Sequence, residues 1–382
     1  MTPATNSQTD EITRPWIRAD KYGEMGLAPQ PVLEYIRMGL MLVFVVPIKI
    51  IGAVSCLLSF YLWTKVAAVL FPAKHRSDWV AWLGKIHCRM CLFFIGFVRV
   101  RWVAIDWEGE PVSSTTGGAK EEPRSYAGIV SNHLSWADIL VHMSHFFPAF
   151  VARSSTAGTM FVGSISKAMG CLYVERAKTK SDDLKKDKSK IGVSALVKER
   201  MENYQTSGER PLLLFPEGTT TNGHFLLPFK SGAFLAGQPV QPVILKYSSH
   251  GMSPSWESII INRHILLLLC QLVHSVTCFT LPCYVPNDAE RADPTLFAAN
   301  VRSAMLKASK GMLRPSNETY LDKVQFNDAL KRKHGYIRDE RQVQLEDAKA
   351  EAGGRVIVRR LSEVKSVFDA SVDDEVDLKK VQ

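Results

Sequence analysis

The chain has 382 residues, enough for one large domain or two, and its 46% hydrophobic content excludes a chain disordered throughout. A formal charge of +9 suits nucleic acid, an anionic membrane surface or an acidic substrate, and charge alone does not choose. No zinc-finger spacing or single-strand-binding motif is present, so nucleic acid is not expected as a partner. Seven cysteines in mostly apolar stretches read as reduced thiols facing a cytosol-like compartment, and Cys88-x-x-Cys91 reads as packing because no second Cys/His pair lies at zinc spacing.

Residues 1–30 are polar, contain no cleavable signal peptide and read as a flexible leader. Residues 31–98 read as a membrane-anchoring segment. Met38 to Phe71 is apolar over 34 residues, interrupted by Pro47, Lys49 and Lys65. One helical span needs about 20 residues. Two forms fit: a tilted span with a snorkelling lysine, or a hairpin that dips into one leaflet. The next stretch, WVAWLGKIHCRMCLFFIGFVRVRW, carries tryptophans and arginines suited to an interface.

From residue 99 to 290 short β-like runs alternate with helical stretches. AGIVSN (127–132), PAFVAR (148–153), CLYVER (171–176), PLLLFPEG (211–218) and PVILKY (242–247) read as strands. WADILVHMSHFF and residues 182–206 read as helices, and 111–123 as a flexible insertion. The alternation predicts an α/β fold with a largely parallel sheet flanked by helices. Residues 291–382 read as a helical, charged, solvated tail. No D-x-[DN]-x-[DN]-G calcium loop occurs.

In such sheets chemistry gathers past the C-terminal strand ends, where His133, Arg176 and Glu217 fall. Ser135 and Asp138 form an S-x-x-D capping box, which accounts for Asp138 without catalysis. It leaves Asn132-His133 at the strand–helix junction unexplained. From the first helical turn Asp138 can reach the ring and make His133 a base near neutral pH. The Pro-Glu-Gly turn with its threonines suits hydrogen bonding to a phosphate or hydroxyl, though a plain strand-to-loop turn has the same residues. Arg176 suits bidentate phosphate recognition or a surface ion pair. PVQPVILKY reads as core. The lysines of 177–190 read as a solvated helix start or an electrostatic site for anionic groups.

In this order the stretches resemble the glycerolipid acyltransferases: NHLSWAD their NHxxxxD motif, GCLYVER their G-x-[IL]-[FY]-V-x-R block, FPEGT their FPEG block and VQPV their V-x-P-V block. EGTTTN, LPFKSGAFLAGQPVQPVILKY and LPCYVPNDAERADPTLFAANVR are similar to the lysophosphatidylcholine and lysophosphatidylethanolamine acyltransferases. The similarity runs from about 127 to 305.

The resemblance implies an acyl-CoA-dependent O-acyltransferase of phospholipid synthesis and remodelling. It would acylate the free hydroxyl of a lysophospholipid, using acyl-CoA as co-substrate, with no bound cofactor and no metal. His133 would be the base and Asp138 its orienting acid. Arg176, Glu217, Gly218 and Thr219 would hold the acceptor, with Asn132, Asn222 and Pro242 in support. Several relatives carry EF-hands that this sequence does not, and Thr221 stands where some carry cysteine. That leaves lysophosphatidic acid or glycerol 3-phosphate as an alternative acceptor. A catalytically silent membrane scaffold is the alternative from another class. A serine hydrolase is disfavoured because no G-x-S-x-G elbow occurs. KKVQ at residues 379–382 resembles a dilysine retrieval signal, implying the endoplasmic reticulum membrane with a cytosolic catalytic domain.

Overall fold

A computed structural model describes residues 14–112, 126–159, 162–174, 183–207, 210–248 and 251–336. Arg176, the insertion within 113–125, the first lysines of 177–190 and the KKVQ tail lie outside them. Two compact units are resolved, Met1–Lys323 and Val324–Gln382. The second is helical through Lys333 in its described part.

The first unit is built on a sheet in the order β1-β8-β7-β2-β5-β3-β4. Its strands are β1 (Phe97–Ala104), β2 (Gly128–Ser131), β3 (Ala149–Arg153), β4 (Leu172–Val174), β5 (Leu212–Leu214), β7 (Val240–Ser248) and β8 (His274–Thr280). All neighbours pair in parallel except β7 with β8. A two-stranded ladder joins β6 (Phe225–Leu226) to β9 (Arg314–Pro315).

Alternation along the strands assigns side chains to two faces. Val130, Leu212, Leu214, Val240 and Ile244 enter one core, with Val197 and Met201 of α5 (Asp183–Glu202) and Phe297, Val301 and Met305 of α8 (Pro294–Ala308). Ile129, Leu213, Val243, Leu245 and Cys278 enter the other. There they meet α2 (Ala73–Ile95), α3 (Ala137–Met143) and α6 (Ile261–Leu269) through Leu92, Val141 and Leu268. The strand and helix stretches expected between 127 and 247 therefore form a three-layer α/β domain.

The segment expected to anchor the chain is a helical hairpin. α1 (Val32–Leu70) contains a wider π-type turn at Met41–Val45, and α2 returns alongside it. At 39 residues α1 would extend about 58 Å, nearly twice a hydrocarbon core of about 30 Å. Lys49, Gly52, Cys56, Phe60, Thr64 and Ala67 form its buried stripe, at the spacing that keeps one helical face together. At Gly52 any Cβ would fall within 2.2 Å of the Phe94 ring, so the helices touch closely there. Lys49 is buried, donating to the carbonyls of Ile95 (3.3 Å) and Gln271. Lys65 is exposed over the Tyr61 ring. The hairpin also packs on α3 and on α4 (Val162–Ala168), where Phe60, Ala67, Val80, Met143 and Ile165 share a cluster.

Two expectations change. The described part of the leader is docked: Trp16, Tyr22 and Met25 are fully buried. The Arg18 guanidinium meets Asp20 (2.6 Å) and Glu257 (2.7 Å) with all three side chains buried. Three scattered anchors do not make a periodic pattern, so the stretch reads as polar. Likewise the boundary at 290 cuts through the core, because α8 supplies Phe297, Val301, Met305 and Ala308 to it. Two further helices are α7 (Asp288–Ala292), capped by a reciprocal Asn287–Glu290 box, and α9 (Tyr320–Lys333).

Candidate active site

β2 ends at Ser131, and the next two residues begin the site. The Asn132 amide grips the backbone of Leu245 on the adjacent β7, its Oδ1 accepting from Leu245 N at 2.7 Å and its Nδ2 donating to Leu245 O at 3.0 Å. This fixes where the chain leaves the sheet. Pro242, facing Val130 across the same pair of strands, is a ladder residue whose carbonyl accepts from Leu281 N.

His133 then turns into solvent by about a fifth of its side chain, while Asp138 is wholly buried. His133 Nδ1 donates to Asp138 Oδ2 at 2.8 Å. The same oxygen accepts from Leu134 N (2.6 Å) and Ser135 N (2.9 Å), and Oδ1 accepts from the Tyr247 hydroxyl at 2.5 Å. Four donors thus satisfy a buried carboxylate that would otherwise be costly. With Nδ1–H directed at Asp138, the lone pair is on Nε2, the geometry of a general base. The ring stacks on Phe215 with centroids 4.0 Å apart.

The capping box is half present. Asp138 caps Ser135 N, but its own N–H bonds to Ser135 O, not to the hydroxyl. The carboxylate thus closes the turn and orients the imidazole together.

The turn after β5 clamps the backbone of His133 from both sides. Glu217 Oε1 accepts from His133 N (2.8 Å), and Thr221 N donates to His133 O (2.9 Å). Glu217 Oε2 accepts from Leu227 N at 2.9 Å. Burial pushes the Glu217 carboxyl up to about 8, against the opposing pull of those two backbone N–H groups. At 2% exposure, with both oxygens engaged, Glu217 holds the loop that carries His133.

Gly218 has φ +70 and is exposed, with the Lys230 side chain lying across it so closely that a Cβ would overlap the ammonium. Thr219 is nearly buried beside it. The Thr220 hydroxyl donates to Trp256 O, and Lys323 Nζ donates to Thr220 O (2.6 Å) and Oγ1 (2.8 Å). Burial lowers the Lys323 ammonium to about 8. Asn222 holds the leader, its N–H on Pro15 O and its Nδ2 on Ile17 O.

The structure therefore gathers Asn132, His133, Asp138, Glu217, Gly218 and Thr219 at one end of the sheet, with Asn222 turned toward the leader. Arg176 lies outside the described residues. Tyr247, Phe215, Lys230 and Lys323 join the site without having stood out as site residues in sequence, and Thr221 joins it through its backbone N–H on His133 O. Tyr247 had one available signal, a tyrosine closing an otherwise apolar strand. Among the described residues no group of three or more His, Cys, Asp or Glu converges as a metal site.

A family model described as Acyltransferase matches residues 117–246, the span that holds this geometry. The lysophospholipid acyltransferase LPEAT1 of Arabidopsis thaliana is 38% identical, over 88% of this chain and 91% of its own length. Lysophosphatidylcholine acyltransferase 2 of Homo sapiens is 27% identical over 73% of this chain and 50% of its own, so the chain spans half of that relative. Among solved structures, the 1-acyl-sn-glycerophosphate acyltransferase PlsC of Thermotoga maritima aligns with a TM-score of 0.42 and 15% identity, covering 69% of this chain and 98% of that one. The chain is a transferase and belongs to the acyltransferase family.

Proposed function

We propose that the protein moves a fatty acyl group from acyl-CoA to the free hydroxyl of a lysophospholipid at a membrane surface. The observation that carries this is the His133–Asp138 pair, with Nδ1 tied to the acid and Nε2 left as the base. Nε2 takes the hydroxyl proton as that oxygen attacks the thioester carbonyl carbon. The carbon–sulfur bond then breaks, and the proton passes to the departing thiolate, giving free CoA. No acyl-enzyme is needed.

Asp138 and Tyr247 hold the ring; Glu217 and Thr221 hold its backbone. The acceptor's phosphate lies at the exposed Gly218 turn under Lys230 with Thr219 beside it, and the family resemblance adds Arg176 to the same role. The relatives' names support a lysophospholipid acceptor, with lysophosphatidylcholine named in one of them, and the sequence resemblance adds lysophosphatidylethanolamine. The apolar outer face of α1 supports attachment to the bilayer. Seven free cysteines support a reducing compartment, and we place the catalytic domain on the cytosolic side of the endoplasmic reticulum membrane.

The test is transfer from labelled oleoyl-CoA by purified chain to a panel of lysophospholipids, lysophosphatidic acid and glycerol 3-phosphate. His133→Ala should lose about 10²–10⁴-fold, the worth of a general base. Preferred transfer to lysophosphatidic acid or glycerol 3-phosphate would replace the acceptor assignment. Undiminished turnover in the variant would remove His133 from the mechanism.

A further inference from the structure

One reversed pairing decides what else lies near His133. β8 runs antiparallel to β7, with Val243 opposite Thr280 and Ser248 opposite Ser275. β1 follows β8 in parallel, with Phe97 opposite His274. β1 and β8 therefore begin at the edge where β7 finishes just past Tyr247, while β2 stops at Ser131, level with Val243 and Thr280, and His133 follows it toward that edge. Two connections arrive there, one from α2 through Gly96 and one from α6 through residues 270–273. His274 N donates to Gly96 O at 2.7 Å. Lys49 of α1 joins both, through Ile95 O and Gln271 O.

At this junction Leu272 and Val273 are 61% and 59% exposed, directly beside the buried His274. Phe93 and Val98 are exposed on either side of Gly96, and Ile265 and Leu266 on the outer face of α6. All belong to the layer of the fold that contains α1, where Ile48 and Ile51 flank Lys49 at 64% and 66% exposure. Arg99 and Arg101, both exposed, follow Phe97 by about 7 and 13 Å of extended strand. The polar zone of one leaflet is about 5–8 Å deep. If β1 stands along the bilayer normal with the apolar cluster at the acyl boundary, the first arginine falls at phosphate depth and the second just outside.

We propose that the Leu272–Val273 turn, with Phe93, Val98, Ile265 and Leu266, is a second lipid-contact surface on the catalytic domain itself. It rests on one leaflet of a phospholipid bilayer and turns the His133 end of the sheet toward it. A hairpin alone leaves a domain free to roll about the hairpin axis, and a contact off that axis removes the freedom. The surface is continuous with the outer face of α1 and carries cations for an anionic headgroup layer. The inference rests on the membrane-surface reading above and deepens it by giving the side from which an acceptor arrives.

The test reads lipid contact without turnover. A benzophenone amino acid is placed at position 273 of the full chain, and in separate preparations at 51 on α1 and at 296, where Leu296 of α8 is exposed in the opposite layer. Each is reconstituted in bilayers of phosphatidylcholine with phosphatidylserine, irradiated and mapped by mass spectrometry. Lipid adducts are expected at 51 and 273 and not at 296. Adducts at 51 alone, or equally at 296 and 273, overturn the proposal. Chain-to-chain crosslinks at 273 assign the surface to a second copy instead and also overturn it. Position 272 repeats the reading if the 273 variant does not fold. A chain that gives the expected adducts but no acyl transfer keeps this surface and loses only the reaction.

Discussion

Tyr247 shows how much of a candidate site can rest on a residue that reaches the exposed imidazole only through another side chain. Its hydroxyl is the donor at Asp138 Oδ1, while Oδ2 serves His133 and two backbone N–H groups. Burial first, and then the neighbouring Asp138 charge, drives the phenol well above its ordinary value, so it stays a donor at every working pH. Tyr247→Phe leaves that oxygen without a partner in the interior, at a cost of about 1–3 kcal/mol. We expect a lower melting temperature and a kcat reduced on the order of tenfold with KM held, because orientation of the base is lost and acceptor binding is not. Thermal unfolding beside steady-state transfer checks both. An unchanged kcat would make the hydroxyl structural only. His133 and Asp138 were legible in sequence because a five-residue interval at a strand–helix junction is a local fact. Tyr247 was not, because its partner lies 109 residues away and the strand before it reads as core.

Among the elements, the described leader departs furthest from its reading. Arg18 enters a pocket made by Asp20, Glu257 and the carbonyl of Ser253 (2.9 Å), with nothing left to solvent. Removing one member of a buried ionic set strands the others, at a cost of about 3–5 kcal/mol. Arg18→Met should therefore destabilise the unit strongly, and because Asn222 grips Pro15 and Ile17, it should lower activity as well. A denaturant midpoint close to wild type would show that the set contributes little. The hairpin was half legible. Its length and apolarity stood out, but α1 is apolar on every face, so the stripe that packs on α2 is invisible to periodicity. α8 failed the opposite way, its five core residues diluted by Asn, Arg and Lys on the outer face. The central strands were read correctly because strands buried on both sides are continuous apolar runs.

At the level of the whole molecule, buried titratable groups set the pH range of the fold. Burial drives His142 and His264 down to about 3 and His274 to about 4, from 6.5. A depressed value in the folded state gives stability that is complete above pH 6.5 and is lost as pH falls toward 3–4. Glu217 has the opposite sign: raised from 4.5 to about 8, its share is present below 4.5 and lost as pH rises through 8. The melting temperature should therefore peak near neutrality and fall on the acid side, with three histidines acting together. His264 is fully buried with both ring nitrogens unpaired among the described residues. His264→Leu should flatten the acid slope in a melting series read against pH, and a slope as steep as wild type would assign acid sensitivity elsewhere.

The catalytic turn is closed from far along the chain in both directions. Pro15 and Ile17 are held by Asn222, and Lys323 reaches back to Thr220. During synthesis α1 and α2 leave the ribosome more than two hundred residues before Lys323 does. A growing chain thus carries a finished apolar hairpin for most of its translation while its catalytic turn still lacks a wall. On the proposed membrane reading, attachment comes early and competence comes last, so a truncated product stopping short of α9 is expected to hold the lipid surface as a silent passenger.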